Sequence, residues 1–220
     1  MLQFPQSTVF GRRIPKQKFY EHLDVTPEIR KLFVEQVRLI TWANKLSPDT
    51  LNIAAGDTVQ EVEVFHIRLT GDALDHRVLT LMDKQIPYHI LFLLERLDGK
   101  FQLVVNYKEA SQGGSNAFQL KKSYETPWLP QEEITVSYSG LDMDAAYESI
   151  VRSIAGDALQ ASEAESLQEA VAQTQQRENI EKEIQKLHAR MKKEKRLAKQ
   201  MELRREIQRL EQRKNGPHEI

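Results

Sequence analysis

The polar residues of this chain can be tested against three chemistries, each with its own demand on spacing. Metal-dependent phosphodiester cleavage needs carboxylates to hold a divalent cation and a lysine to position water and stabilise charge. Glu95 followed by Gln119-Leu120-Lys121 is a degenerate version of that pattern. Asp98-Gly99-Lys100 has the three-letter spacing too, but Asp-Gly between two apolar runs has a sufficient structural reason as a tight turn. Glu61 and Glu63 fall on one face of a strand and could bind metal, although an edge or solvent-facing pair is the better account of them. Nucleophilic and cofactor chemistry find less support. The 6 histidines, His22, His66, His76, His89, His188 and His218, have no ligand-like spacing. His66 and His89 interrupt apolar strands and read as core or interface histidines. A Ser–His–acid set cannot be argued from residue types alone. Ser111-Gln112-Gly113-Gly114-Ser115 lacks the Gly-Lys-Ser/Thr end and the following helix of a phosphate-binding loop. The expectation is a protein without a cofactor or a metal and, on balance, without catalysis.

Phosphate recognition is the third chemistry, and cations are plentiful. Residues 177–214 carry 14 Lys/Arg against 7 Asp/Glu, while residues 1–176 carry 17 against 24. The formal net charge of −1 therefore joins an acidic body to a basic arm, an asymmetry that points to a partner. Lys192, Lys193, Lys195, Arg196, Arg204 and Arg205 are the arm's candidates for contacting DNA. Arg12, Arg13, Lys16 and Lys18 form a second basic group, interleaved with Phe10, Phe19 and Tyr20, where cations could hold phosphates and rings could stack on bases. The plainer reading of that group is a terminal arm anchored by its aromatics while its cations stay wet.

The arm must be helical. From Asp157 to Asn215 there is no Gly, Pro, Phe, Trp or Tyr. Ile180, Ile184, Leu187 and Met191 step by four, three and four, and Leu203, Ile207 and Leu210 repeat the seam out of phase. The charged run Lys192-Lys193-Glu194-Lys195-Arg196 separates the two sets, a shift that a continuous two-stranded coiled coil would not tolerate without a stutter. Unbroken, the arm would span roughly 85 Å. Charge pairs alone add about 0.2–0.5 kcal/mol each, so the arm should pack on a partner, pair with a second copy or fold back on itself. It lacks the aromatic or leucine-rich face of a membrane-surface helix. No apolar run is long enough to cross a bilayer, there is no signal-peptide design, and Cys is absent. These features fit a cytoplasmic protein without disulfides.

The body reads as α+β, a mostly antiparallel sheet flanked by helices, followed by the long basic C-terminal helix. Residues 1–25 form a basic arm, 26–156 the α+β domain, 157–214 the helical extension and 215–220 a tail. Thr26-Pro27-Glu28 starts a helix expected to run to about Leu46, with Ile29, Leu32, Phe33, Val37 and Ile40 on its buried stripe. Glu61 to Leu69 alternates as a strand that could be covered on both faces, and Asp72 to Gln85 is a short helix. Tyr88 to Leu97 and Phe101 to Tyr107 form a hairpin through Asp98-Gly99. Gly113-Gly114-Ser115 turns into a third strand, Asn116 to Tyr124. A weaker strand, Ile134 to Tyr138, precedes a helix from about Met143, and Gly156 is either its end or a soft spot in it.

Several stretches carry a family resemblance: Arg13-Ile14-Pro15-Lys16 with Phe19-Tyr20, Ile40-Thr41-Trp42-Ala43-Asn44-Lys45, and Glu61-Val62-Glu63-Val64-Phe65. Ile86-Pro87-Tyr88-His89-Ile90-Leu91-Phe92, Tyr107-Lys108-Glu109-Ala110 and Gly140-Leu141-Asp142-Met143-Asp144 extend it over roughly residues 8–156. In these the chain resembles an uncharacterised bacterial family, the domain of unknown function numbered four-three-nine-one. Members tend to be encoded beside helicase and DNA-methyltransferase genes in restriction-like antiviral defence clusters. The resemblance implies an accessory subunit that docks a helicase or methyltransferase, and it supplies no catalytic residue.

Overall fold

A computed structural model describes residues 2–21, 25–110, 118–159 and 166–215. The chain divides into two units, Met1–Gly156 and Asp157–Ile220. The first is built on β1 (Val9–Ile14), β2 (Val37–Leu46), β3 (Val62–Leu69), β4 (His89–Glu95), β5 (Lys100–Ala110), β6 (Phe118–Glu125) and β7 (Leu129–Pro130). β1 to β6 lie side by side in chain order and β7 adds to β5. Every pair is antiparallel except β3 with β4. The helices are α1 (Pro27–Gln36), α2 (Pro48–Leu51), α3 (His76–Gln85) and α4 (Met143–Ala155). α3 supplies the crossover that the parallel pair requires. The architecture is α+β, as the alternation of strand and helix periods implies.

Phe65, Ile67 and Leu69 alternate toward a core that also holds Phe33, Val78, Leu79, Met82, Phe92 and Val104. Val62 and Val64 point the opposite way and are buried too, so β3 is covered on both faces. The Asp98-Gly99 turn is present: Gly99 has φ 77 and the Lys100 N–H donates to Asp98 Oδ1 at 3.2 Å.

Three expectations are corrected. The first helix stops at Gln36, and residues 37–46 continue as β2. Val37 and Ile40 are buried as the helical stripe required, but a β-branched stretch flanked by β1 and β3 gains two ladders of hydrogen bonds as a strand. Residues 9–14, placed in the N-terminal basic arm outside the α+β domain, are an edge strand of its sheet, with the register shift between Val9 and Arg12 absorbed where Gly11 takes φ 63. Residues 134–138 are not a strand. The Ser137 and Ser139 N–H groups donate to Ser153 and Ser149 of α4, and the short strand pairing there is 129–130 with β5. The Gly113-Gly114-Ser115 turn, the Ser111–Ser115 loop, His22, His218 and tail residues 216–220 lie outside the described residues.

Gly140-Leu141-Asp142-Met143-Asp144 has a structural purpose. Asp142 caps α4 by accepting from the Ala145 N–H at 2.8 Å. The Asp144 carboxylate accepts from the N–H groups of Asp57, Thr58 and Val59 and from the Thr58 hydroxyl. A Cβ on Gly140 would meet Ala145 at 2.6 Å and one on Gly56 would meet Asp144 at 2.6 Å, so both positions demand glycine. Gly156 then ends α4 with φ 53.

The second unit holds α5 (Leu167–Lys193) and α6 (Leu197–Asn215). Ser166 and Glu169 close a capping box at the start of α5. The extension is therefore two helices, broken where the seam changes phase.

Candidate functional site

The two heptad sets meet each other. Ile180, Ile184, Leu187 and Ile207 form a buried cluster, with Met191, Leu203 and Leu210 packed against it. Lys214 pairs with Glu181. α5 and α6 thus form an antiparallel hairpin whose seam residues satisfy one another. The seam residues, which the sequence left to pack on a partner, on a second copy or back on the arm itself, form the hairpin's own core.

The turn between the helices is made by Glu194. Its carboxylate accepts from the N–H groups of Lys195 and Arg196 at 3.0 and 2.9 Å, and its carbonyl accepts from Gln200 Nε2 at 2.6 Å. Glu194 is the only acid among residues 190–199. Around it Arg190, Lys192, Lys193, Lys195, Arg196 and Lys199 are all exposed, with Arg204 and Arg205 exposed farther along α6. The fold brings four of the six sequence-derived arm cations, Lys192, Lys193, Lys195 and Arg196, to the turn between the helices and adds Arg190 and Lys199. Contiguity across a tight turn, rather than heptad position, was the signal for those two.

The N-terminal cations are disposed differently. Lys16 Nζ donates to the carbonyls of Phe33, Val34 and Val37 at 3.3, 3.1 and 2.8 Å, tying the N-terminal segment to the place where α1 gives way to β2. Burial holds its pKa below the usual lysine range. Arg12 lies over the Phe10 ring at 4.7 Å, and Phe10 packs on Trp42 at 4.2 Å. Phe19 and Tyr20 are buried against Phe33. The aromatics anchor the segment, as the plainer reading required. Arg13 and Lys18 remain exposed.

The nuclease constellation is not assembled. Glu95 pairs with Phe101 at one end of β5, whereas Gln119 pairs with Glu109 near the other end. Eight residues of strand separate them, about 26 Å. Glu95 Oε2 instead lies 2.6 Å from His66 Nε2 and 2.9 Å from Arg68 Nε. Lys121 donates to Gln119 at 3.0 Å and faces Glu109 at 3.5 Å. Among the described residues no three His, Asp or Glu side chains converge to hold a metal ion.

Two buried polar groups lie in or against the sheet; the sequence pointed to Glu63 but not to its burial, and it did not point to Asp83 with Lys108. Asp83 of α3 and Lys108 of β5 form an ion pair at 3.2 Å with side chains 0% and 1% exposed. Asn106 Nδ2 donates to the second Asp83 oxygen, and Lys108 also reaches the carbonyls of Ile86 and Tyr88. Burial raises the Asp83 carboxyl to about 6 against the pull of Lys108, and lowers Lys108. His89, packed against the tilted Tyr147 ring at 4.2 Å, is depressed to about 4 by burial and by the Lys108 charge. The network is closed and fully partnered on its charged atoms.

The second group is Glu63, 1% exposed in the interior strand β3. A register shift between Trp42 and Asn44 puts Trp42 and Lys45 on the same side of β2, opposite Phe65 and Glu63. Lys45 Nζ reaches Glu61 Oε1 at 2.8 Å, which raises the lysine's pKa. Burial raises Glu63 to about 7, the Trp42 indole opposes that shift and the Glu61 carboxylate reinforces it. Although Trp42 Nε1 lies beside it, neither Glu63 oxygen meets a donor at hydrogen-bonding geometry.

The family model named a domain of unknown function, DUF4391, matches residues 2–213. The chain belongs to the DUF4391 family. The match runs through both units, so the hairpin is part of the DUF4391 domain rather than an appendage to it. No curated protein and no solved structure matches. Among the described residues no helix is long and apolar enough to cross a membrane.

Proposed function

We propose that this DUF4391 protein is a non-enzymatic accessory subunit of a restriction-like antiviral defence complex, in which the hairpin tip contacts DNA. Its α+β body would dock a helicase or DNA-methyltransferase subunit. The observation that supports the DNA role is the tip itself: six exposed cations within ten residues, and one acid whose carboxylate is turned onto the backbone. Seam packing leaves the tip's charged side chains in water, where they can exchange counterions for phosphates. Recognition of this kind reads the backbone and carries no sequence preference of its own.

Titration of the purified full-length chain, alone and with its co-purified partner, onto duplex DNA at several salt concentrations tests the reading. Each phosphate contact should contribute about −0.9 to the slope of log affinity against log salt. A flat salt dependence rejects the DNA role.

A further inference from the structure

Glu63 has no structural explanation equal to its cost. Burying a carboxyl against a second carboxyl, in a sheet interior, is unfavourable unless a proton or a cation lies between them. Asp83, comparably buried, meets Lys108 and Asn106. Glu63 oxygens meet no donor in bonding geometry, and the adjacent Trp42 Nε1 is buried without one as well. Glu61, two residues earlier on the same strand face, brings its carboxylate alongside Glu63 while its side chain stays 21% exposed. The pair therefore has one buried arm and one arm open to solvent, which is a route of entry for an ion.

We propose that Glu61 and Glu63 bind one hard divalent cation, magnesium or manganese, at the end of β3 beside Lys45. The donors are all carboxylate oxygens, which suits these ions. A magnesium-type ion needs only one or two protein carboxylates when water completes its shell. Lys45, directly across the ladder from Glu63, is the charge that holds Glu61 in the free chain. On cation entry Lys45 gives up Glu61 and is left facing the outer positions of the ion, where an anionic oxygen such as that of a phosphate could sit. The site is separate from the hairpin tip and does not depend on the tip's reading.

The test is calorimetric titration of MnCl2 into the full chain after EDTA treatment and desalting. The expected result is one manganese per chain in wild type, with affinity lowered about a hundredfold in Glu63→Gln and in Glu61→Gln. Lys45→Met retains manganese binding, since it removes a competitor for Glu61 and no ligand. Thermal melts check folding, and Glu63→Gln is expected to melt at or above the wild-type temperature because an unanswered buried acid is gone. The proposal is overturned if wild type takes up no manganese, or if the Glu61→Gln/Glu63→Gln double variant binds it as tightly as wild type.

Discussion

The body and the hairpin use charge in opposite ways. In the body the informative charged groups are turned inward: Lys108 onto Asp83, Lys16 onto carbonyls at the junction of α1 and β2, Asp144 onto the backbone of residues 57–59. In the hairpin a narrow apolar seam is inside and the cations are outside. Clusters of Lys and Arg in the sequence therefore mean different things. The group at 12–18 contributes at least one cation to structure, and the group at 190–199 is held in place by an apolar seam and a single glutamate. Availability, rather than charge count, separates the two.

Breaking the body's inward charge should cost most. Lys108→Met strands the Asp83 carboxyl beside Asn106 in a dry site and is expected to destabilise the body by about 3–5 kcal/mol in urea unfolding at neutral pH. A loss under about 1 kcal/mol would mean the pair is wetter than its burial indicates.

His89 gives the next effect and a pH signature. Its pKa falls from 6.5 in the unfolded chain to about 4 in the folded one. Between those values the unfolded state binds the proton and the folded state does not, so this contribution to stability is lost as pH falls from 6.5 toward 4. The full loss is about 3 kcal/mol. Asp83, raised to about 6 from 3.8, works the other way over an overlapping range, since its folded form takes up the proton first. Glu63, raised to about 7 from 4.5, acts in the same direction as Asp83, so the His89 contribution is read as a difference: His89→Phe should gain on wild type as pH is lowered. Parallel pH profiles of the two proteins would refute the assignment.

Lys16→Met removes a charged donor from three carbonyls and should cost about 1–2 kcal/mol, with DNA affinity nearly unchanged. Charge reversal at Lys192, Lys193, Lys195 and Arg196 should do the reverse. Stability is expected to move by no more than about 0.5 kcal/mol while DNA binding collapses. Together these two variants separate structural cations from available ones.

The sequence made the hairpin legible because its signal is local. A seam that changes phase across Lys192–Arg196 forbids one continuous coiled coil, and folding back was among the arrangements left open. The helix reading of residues 37–46 failed because Val37 and Ile40 fit a helical stripe as well as a strand face. Pairing with β1 and β3, remote in sequence, made the choice. The burial of Lys108 and of Glu63 was hidden for a related reason. Burial of a polar residue in a strand depends on which strands and helices flank it, and alternation records only which face it takes. Trp42 and Lys45 could not be placed beside Glu63 from spacing, because the register shift that aligns them is a product of the sheet. The metal-nuclease trio failed on register as well, since Glu95 of β4 and Gln119 of β6 are correctly typed but pair with opposite ends of β5.

The most direct test of the central claim is the salt dependence of duplex binding by three proteins: wild type, the Lys192/Lys193/Lys195/Arg196 reversal, and a matched reversal of Arg12, Arg13 and Lys18. The expected result is a steep slope for wild type, reduced by about 3–4 in the tip variant and kept in the N-terminal one. Equal slopes for wild type and the tip variant, or loss of binding confined to the N-terminal variant, would contradict the assignment of the hairpin tip as the DNA-contacting surface.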